Sequence, residues 1–268
     1  TLLLDAGDFS MGTLVQVVYE EEASEIRMLG NLGVEVTTLG NHEFDYRAKG
    51  LANMMNHAVE SGDALPEMVI SNVDWDAMNA AGLTDDQQML IDAFANFGVK
   101  EYTVLEKGDV KVAVTGLFGK DCLACVVAPP LVFEDPVEAM KETVAEIKAN
   151  EDVDMIVCVS HSGTWEDEAK SEDEILAKEV PELDLIISGH THTKLDEAIQ
   201  HGNTYIVSVG EYGKYLGDLS MSQKEDGRWT LDSYELITVG EDIEEDAATK
   251  EKIDELMAMV DAKYLEQF

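Results

Sequence analysis

The sequence is poor in basic residues, with 18 Lys and Arg against 56 Asp and Glu in a chain of 268 residues. The formal net charge at neutral pH is −38. So acidic a composition argues against a basic face that could bind DNA, RNA or an anionic membrane. We therefore expect no nucleic-acid partner, and we interpret the charge as a solvated acidic surface.

Cysteine is also scarce. The three cysteines are too few for a disulfide framework and one short of a four-cysteine zinc site. Cys122 and Cys125 have Cys-x-x-Cys spacing, but their segment opens no clear helix, so we interpret them as two thiols in a loop. Cys158 lies within the apolar run MIVCVS and is expected in the core.

Long apolar runs are missing as well, and none approaches the roughly 20 residues that a membrane span requires. Hydrophobic residues nevertheless make up 45% of the chain, enough for the core of one large domain. The chain starts at Thr1, inside an apparent strand, so we expect it to be the interior of a longer protein.

Short apolar runs alternate with helical patterns along the chain. Helices are expected over about 20–31, 47–60, 136–150 and 241–266, while 84–98 is ambiguous. Strands are expected between them, with a hairpin turning at Lys107–Gly108 and antiparallel strands near the C-terminus. This alternation predicts a layered α/β domain.

Four of the predicted strands are followed by side chains that can bind metal. The segments DAGD, GNHEFD, SHSG and SGHTHT carry Asp8, Asn41, His42, Asp45, His161, His190 and His192. Because ligands gather at the carboxyl ends of strands in α/β sheets, we expect these loops to meet. Imidazole, carboxylate and amide oxygen together favour Zn, Mn, Fe or Co.

The two oxygens of Asp8 could bridge two ions about 3.5–4 Å apart, as in two-metal hydrolytic sites. No cysteine lies in these loops, which argues against a closed structural zinc site. Glycines before Asp8, Asn41 and His190 allow a sharp turn and a close approach to the ions. The remaining histidines, His57 and His201, are expected on the surface or in packing roles.

The motifs GD, GNHE, SH and GHTH, in this order, resemble those of the calcineurin-like metallophosphoesterases. TTLGNHEFD and VSVGEYGKYLG are similar to the 5′-nucleotidase branch. The resemblance covers residues 1–240 and implies a catalytic domain with a four-layer α/β/β/α sandwich and two divalent metal ions. Residues 241–268 resemble a linker helix, which leads us to expect a C-terminal substrate-binding domain in the full-length protein.

The resemblance also implies roles for individual residues. Asp8 would bridge the ions, Asn41, His161 and His190 would bind one ion, and His192 would bind the other. His42 would be the catalytic histidine that faces the phosphate, oriented by Asp45. The family's opening Asp-x-His pair, which supplies the remaining ligands of the ion bound by His192, does not occur in this sequence, and this absence fits a chain whose first strand and helix are missing.

The resemblance therefore implies two-metal hydrolysis of phosphate esters, above all 5′-nucleotides. Cyclic nucleotide diesters and nucleotide sugars are alternative substrates. A non-catalytic metal or phosphate-binding module is an alternative of another class, prompted by the missing Asp-x-His pair. No His-x-His-x-Asp-His run occurs, which argues against a metallo-β-lactamase-like hydrolase. Bacterial relatives of this branch are commonly exported or surface-bound, and we expect an extracellular, periplasmic or cell-surface location here.

Overall fold

The computed structural model describes residues 1–265 and has a mixed α/β architecture. Its strands are β1 (Val36–Thr37), β2 (Glu67–Met68), β3 (Tyr102–Lys107), β4 (Val110–Phe118), β5 (Met155–His161), β6 (Leu185–Ser188), β7 (Ile199–His201), β8 (Thr204–Val207), β9 (Tyr215–Gln223) and β10 (Trp229–Thr238). Its α-helices are α1 (Tyr19–Glu22), α2 (Ser24–Asn31), α3 (Arg47–Ser61), α4 (Trp75–Ala81), α5 (Asp85–Phe97), α6 (Lys120–Cys125), α7 (Pro136–Asn150), α8 (Glu172–Glu179) and α9 (Ala247–Val260).

The central sheet has six strands in the order β3-β4-β5-β6-β8-β7. Strands β4, β5, β6 and β8 run parallel, and β3 and β7 pair antiparallel at the two edges. Strand β5 is buried along its whole length, as expected for a parallel strand covered on both faces. The parallel arrangement places the carboxyl ends of β4, β5 and β6 at one edge of the sheet.

A second, smaller sheet is built from β1, β2 and the extended N-terminal segment. The N-terminal strand expected from TLLLDAGD is reduced to a single parallel bridge between Leu4 and Val36. Two backbone hydrogen bonds, Glu35 N–H to Leu3 O and Asp5 N–H to Val36 O, hold it there. Asp8 therefore follows a strand-like segment whose direction matches that of β1.

Three apolar clusters separate four layers. The first packs α3 and α5 against the small sheet through residues such as Leu51, Leu90 and Met68. The second lies between the two sheets and is rich in valine, and the third packs α7 and α8 against the outer face of the central sheet. The order of layers is α/β/β/α, which confirms the predicted fold class.

Several local predictions are confirmed. Helix α7 begins where it was expected, and the side chain of Asp135 accepts hydrogen bonds from the backbone N–H groups of Val137 and Glu138. Strands β3 and β4 form the predicted hairpin. The ambiguous stretch 84–98 contains α5, whose N-terminus carries a capping box made by Thr84 and Gln87.

Other local predictions are wrong in detail. The helix expected over 20–31 is interrupted at Ala23, which adopts a left-handed φ of 47°. The segment DCLAC, predicted as a loop, lies in helix α6. The carboxylate of Glu172 accepts hydrogen bonds from the N–H groups of Lys120 and Asp121 at 2.8 and 2.9 Å. This cap comes from a distant part of the chain and leaves no trace in the local sequence.

The C-terminal helix begins later than predicted, at Ala247, and Asp246 caps it through Thr249. It continues as a π-helical turn over Asp261–Leu265, while residues 266–268 of the predicted C-terminal segment lie outside the described residues. Over the part of the chain that the structure covers, no helix has both the length and the apolar character needed to cross a membrane.

Candidate metal centre

The loops at one edge of the two sheets bring together most of the predicted metal ligands. His161 ends β5, and His190 follows β6 after Ser188 and Gly189. Their imidazole centroids lie 5.3 Å apart. Asp8 Oδ2 lies 3.0 Å from His161 Nε2, and Asn41 Oδ1 lies 3.0 Å from His190 Nδ1. Four residues from four separate segments thus line one small region, as the strand-end argument predicted.

His161 presents a buried nitrogen that has no hydrogen-bond partner among residues 1–265. The side chain is 1% exposed, and Nδ1–H donates to the carbonyl oxygen of Ala6. Nε2 lies close to Asp8 but out of line for a hydrogen bond. Burial lowers the pKa of His161, yet the adjacent Asp8 carboxylate raises that pKa by more, so it lies above its ordinary value. The space between the two groups favours a positive charge.

His190 is held between two oxygen atoms. Its Nδ1 faces Asn41, and its Nε2 lies 3.0 Å from Asp121 Oδ2. A neutral imidazole has a single N–H and can donate in only one of these contacts. In the neutral ring, the second nitrogen therefore lies 3.0 Å from an oxygen without a proton between them, which is also the spacing of two ligands that share a cation.

His42 and Asp45 form a pair beside the predicted ligands. His42 Nδ1 lies 2.8 Å from Asp45 Oδ2, and the backbone N–H of His42 donates to Asp8 Oδ1 at 2.9 Å. The contact with Asp45 occupies Nδ1 and leaves Nε2 available on a partly exposed side chain. This is the arrangement that orients an imidazole for proton transfer.

His192 stands apart from the other predicted ligands. Its side chain is 52% exposed, and Nδ1 lies 2.9 Å from Glu211 Oε2. This carboxylate was not singled out from the sequence, where VSVGEYGKYLG served only for the family resemblance. A carboxylate on Nδ1 fixes the orientation of the imidazole and leaves Nε2 for a ligand.

The backbone around these residues is unusually constrained. Asp8, His190 and His192 have left-handed φ values of 60°, 70° and 55°. Asp and His adopt this region more readily than most residues, but it remains uncommon outside glycine. A Cβ atom at Gly40 would lie 2.2 Å from Asp8 Oδ1, so only glycine permits this approach.

Glu43 is a buried carboxylate that ties the first two loops together, and sequence reasoning assigned it no role. It accepts hydrogen bonds from the backbone N–H groups of Asp8, Ser10 and Gly40 at 3.0, 3.1 and 2.6 Å. Burial, reinforced by the charge of Asp8, raises the pKa of Glu43 to about 7. The only hint in the sequence was its place inside the GNHE motif.

The two histidines outside this edge, for which a surface or packing role was expected, each contact an oxygen atom. His57 Nδ1 bonds the carbonyl oxygen of Glu20 at 2.6 Å, and His201 Nε2 lies 2.7 Å from Glu174 Oε2. Cys158 is fully buried in the apolar cluster beneath α7 and α8.

The residues at this edge fit a divalent cation. The orphaned nitrogen of His161, the carboxylate of Asp8, the amide oxygen of Asn41 and the imidazole of His190 form a mixed N/O donor set. Such a set suits borderline first-row ions. An α/β/β/α sandwich with these donors at the shared strand edge defines the class as a metal-dependent phosphoesterase fold.

The chain belongs to the calcineurin-like phosphoesterase family, whose model matches residues 1–194. Members of this family use divalent metal ions. The recognition made from the four motifs is therefore confirmed.

Individual relatives point to the nucleotidase branch. The chain is 30% identical over 272 residues to the trifunctional nucleotide phosphoesterase protein YfkN of Bacillus subtilis, covering 95% of this chain and 18% of that protein. It is 28% identical to a 5′-nucleotidase of Vibrio cholerae, covering 89% of this chain and 43% of the relative. A 5′-nucleotidase precursor of Thermus thermophilus superposes with a TM-score of 0.75 at 26% identity, covering 97% of this chain and 50% of that one. The chain thus spans no more than half the length of these relatives.

Proposed function

We propose that this chain forms the catalytic part of an enzyme that hydrolyses phosphate esters of nucleotides, above all 5′-nucleotides. The observation that carries the proposal is the buried, unpartnered Nε2 of His161 facing Asp8, with the His42–Asp45 pair beside it. The relatives named as 5′-nucleotidases supply the substrate class.

Two divalent ions, when bound, would neutralise the phosphoryl oxygens and activate water for in-line attack. Asp8 would contact both ions, Asn41, His161 and His190 would hold one, and His192 would contribute to the other. The family's Asp-x-His pair, which does not occur in this sequence, would supply the remaining ligands of the His192 ion. The donor types leave the identity open among Zn, Mn, Fe and Co.

His42 would act on the substrate without binding a metal. Asp45 accepts a hydrogen bond from Nδ1 of His42, so Nδ1 carries a proton in either charge state. In the neutral ring Nε2 is then free of a proton, and in the charged ring Nε2 carries one as well. In the charged form, Nε2–H can stabilise the phosphoryl oxygens and deliver its proton to the leaving oxygen. A positioned imidazole of this kind typically contributes about 10²- to 10⁴-fold to a rate.

The test is the His42→Ala variant of the complete natural protein, assayed on AMP with metal supplied. We expect turnover to fall by about 10²- to 10⁴-fold while the metal content per chain stays the same. His57→Ala is the matched control, since His57 lies on α3 and bonds a backbone carbonyl away from the metal centre. If turnover in His42→Ala were unchanged, His42 would not have the proposed catalytic role.

The alternative substrates stay open because the chain covers only part of each relative. The Bacillus subtilis relative is named as a trifunctional nucleotide phosphoesterase, which is broader than a 5′-nucleotidase. A panel of AMP, cyclic AMP and a nucleotide sugar on the complete protein separates them. A non-catalytic binding module would turn over none, and the His42–Asp45 pair argues against it because metal binding alone does not need that pair.

A further inference from the structure

We propose that Cys122 is a sulfur ligand for the ion held by Asn41, His161 and His190, and that it biases this site towards thiophilic ions such as Zn²⁺. The inference rests on the proposed metal centre and adds to it a determinant of metal selectivity. No sequence pattern indicated it, because the segment was predicted as a loop.

The geometry places the thiol among the predicted ligands. Cys122 Sγ–H donates to Asn41 Oδ1 at 3.7 Å, so it shares that oxygen with His190 Nδ1. The sulfur atom, a ring nitrogen of His161 and a ring nitrogen of His190 all lie within 4.8 Å of one another. Ligand atoms around tetrahedral zinc are roughly 3.3–3.8 Å apart, given its usual bond lengths. The three atoms therefore lie near the spacing that a shared ion would require.

The fold explains why the thiol lies there. Strand β4 runs parallel to β5, and Gly119 N–H at its end donates to the carbonyl oxygen of His161 at 3.1 Å. Helix α6 starts directly afterwards, anchored by Glu172. Cys122 lies in the first turn of this helix and is fully buried. The same strand edge that gathers the predicted ligands therefore also delivers the sulfur.

Cys125 differs from Cys122 in its exposure and in the residues around its sulfur atom. It lies on the same helix but is exposed, and its sulfur lies near Asp121 and a ring nitrogen of His190. The group that contains His161 includes the sulfur of Cys122 instead, and both of these side chains are buried. An ion held by Cys125 would thus be an outer ion, whereas an ion held by Cys122 would be the ion of the proposed centre.

The consequence for metal choice follows from ligand softness. Thiolate favours zinc, cadmium and similar ions over manganese and magnesium, which prefer oxygen. Binding through sulfur requires loss of the thiol proton, so each ion that binds through Cys122 releases one proton to solvent. Mn²⁺ would bind through the nitrogen and oxygen donors alone and would leave the thiol protonated.

The first experiment uses the unaltered protein with one equivalent of zinc and measures zinc X-ray absorption. A scatterer at about 2.3 Å, separate from nitrogen and oxygen at about 2.0–2.2 Å, is the expected result. Zinc bound with only nitrogen and oxygen neighbours would overturn the role of sulfur while leaving the metal centre intact. No bound zinc would instead overturn the metal centre proposed above, so the two failures are distinguishable.

The second experiment identifies the thiol by titrating Cd²⁺ and following the thiolate-to-cadmium charge-transfer absorption. We expect Cys122→Ser and Cys122→Ala to lose the band and to bind Zn²⁺ at least about tenfold more weakly, on the order of the loss seen when a supporting group of a metal site is removed. Mn²⁺ affinity should stay nearly unchanged in both variants, which also shows that they remain folded.

Cys125→Ser and Cys158→Ser are the matched controls, and both should keep the band. If Cys125→Ser lost the band while both Cys122 variants kept it, the ion would be bound by Cys125 at the outer position, and the proposal would be overturned.

Discussion

Single residues at the metal centre are held by partners that are themselves buried or constrained. Asp8 is the clearest case: its carboxylate meets His161 and the N–H of His42, while its own N–H is held by Glu43. Burial raises the pKa of Asp8, but the adjacent imidazole of His161 and the backbone N–H of His42 lower that pKa by more, so it lies below its ordinary value. The ligand is thus kept ionised and fixed in place before any cation arrives.

We expect Glu43→Gln to reduce the free energy of unfolding of the metal-free protein by about 1–3 kcal/mol. Glutamine offers one acceptor oxygen where Glu43 uses two for three N–H donors, so at least one buried donor loses its partner. The measurement is urea unfolding in the presence of a chelator.

The exposed Glu60 on α3 provides the control, and Glu60→Gln should change stability by less than about 0.5 kcal/mol. An equal, small effect of both substitutions would contradict the assigned role of Glu43.

At the scale of elements, the two sheets approach each other closely at a glycine of strand β4. A Cβ atom at Gly116 would lie 2.0 Å from the carbonyl oxygen of Val69, which follows β2. The carbonyl oxygen of Gly116 also accepts hydrogen bonds from the N–H and hydroxyl of Ser71. The inner layers are therefore joined by direct backbone contact, and their relative position determines where the loops meet.

Gly116→Ala should destabilise the protein by about 1–3 kcal/mol, the usual cost of inserting an atom into a filled interior. The obstructing atom belongs to the backbone, so the sheets must separate. Thermal and urea unfolding measure the effect.

Gly217→Ala on β9 is the comparison, since its added Cβ would come within 3 Å only of a side-chain methyl of Val209, at 2.9 Å, which can move. Should Gly217→Ala cost as much as Gly116→Ala, close sheet contact would not be the cause.

At the scale of the whole molecule, the formal net charge of −38 is spread over a chain of 268 residues. Ion pairs between exposed side chains neutralise part of it, but acidic residues outnumber basic ones about three to one. The folded state therefore carries self-repulsion that the more expanded unfolded chain relieves.

Salt should stabilise the protein without binding to a specific site. Between about 10 and 150 mM NaCl the screening length falls from about 30 Å to about 8 Å, so repulsion between distant carboxylates weakens. We expect the unfolding temperature to rise by a few degrees, measured with a chelator present to remove divalent ions.

KCl should match NaCl at equal ionic strength, because screening does not depend on the cation. A temperature that stays constant or falls would show that the repulsion is already compensated by local ion pairs.

The sequence predicted the fold, and it predicted that the candidate ligands would lie close together, because both depend on local patterns. His161 and His190 end apolar runs, and their convergence follows from the parallel direction of β5 and β6. The layered architecture followed from the alternation of apolar runs and helical patterns, together with the family resemblance.

The features that escaped prediction are those made by distant partners. Helix α6 exists because Glu172 caps it from 52 residues away. Glu211 supports His192, and Asp121 approaches His190, although neither carboxylate stands out in a chain with 56 acidic residues. Where acidic residues are so abundant, sequence alone cannot separate the few that support a site from the many that face solvent.

The left-handed backbone at Asp8, His190 and His192 has an evolutionary consequence. Glycine adopts this conformation freely, and a non-glycine residue there can cost of order 1 kcal/mol or more. Replacing either histidine by glycine would thus relieve backbone strain and remove a predicted ligand in one step. A descendant that is no longer selected for metal binding could therefore gain stability against unfolding as it lost activity. The inactive members of such a lineage should carry glycine at these positions.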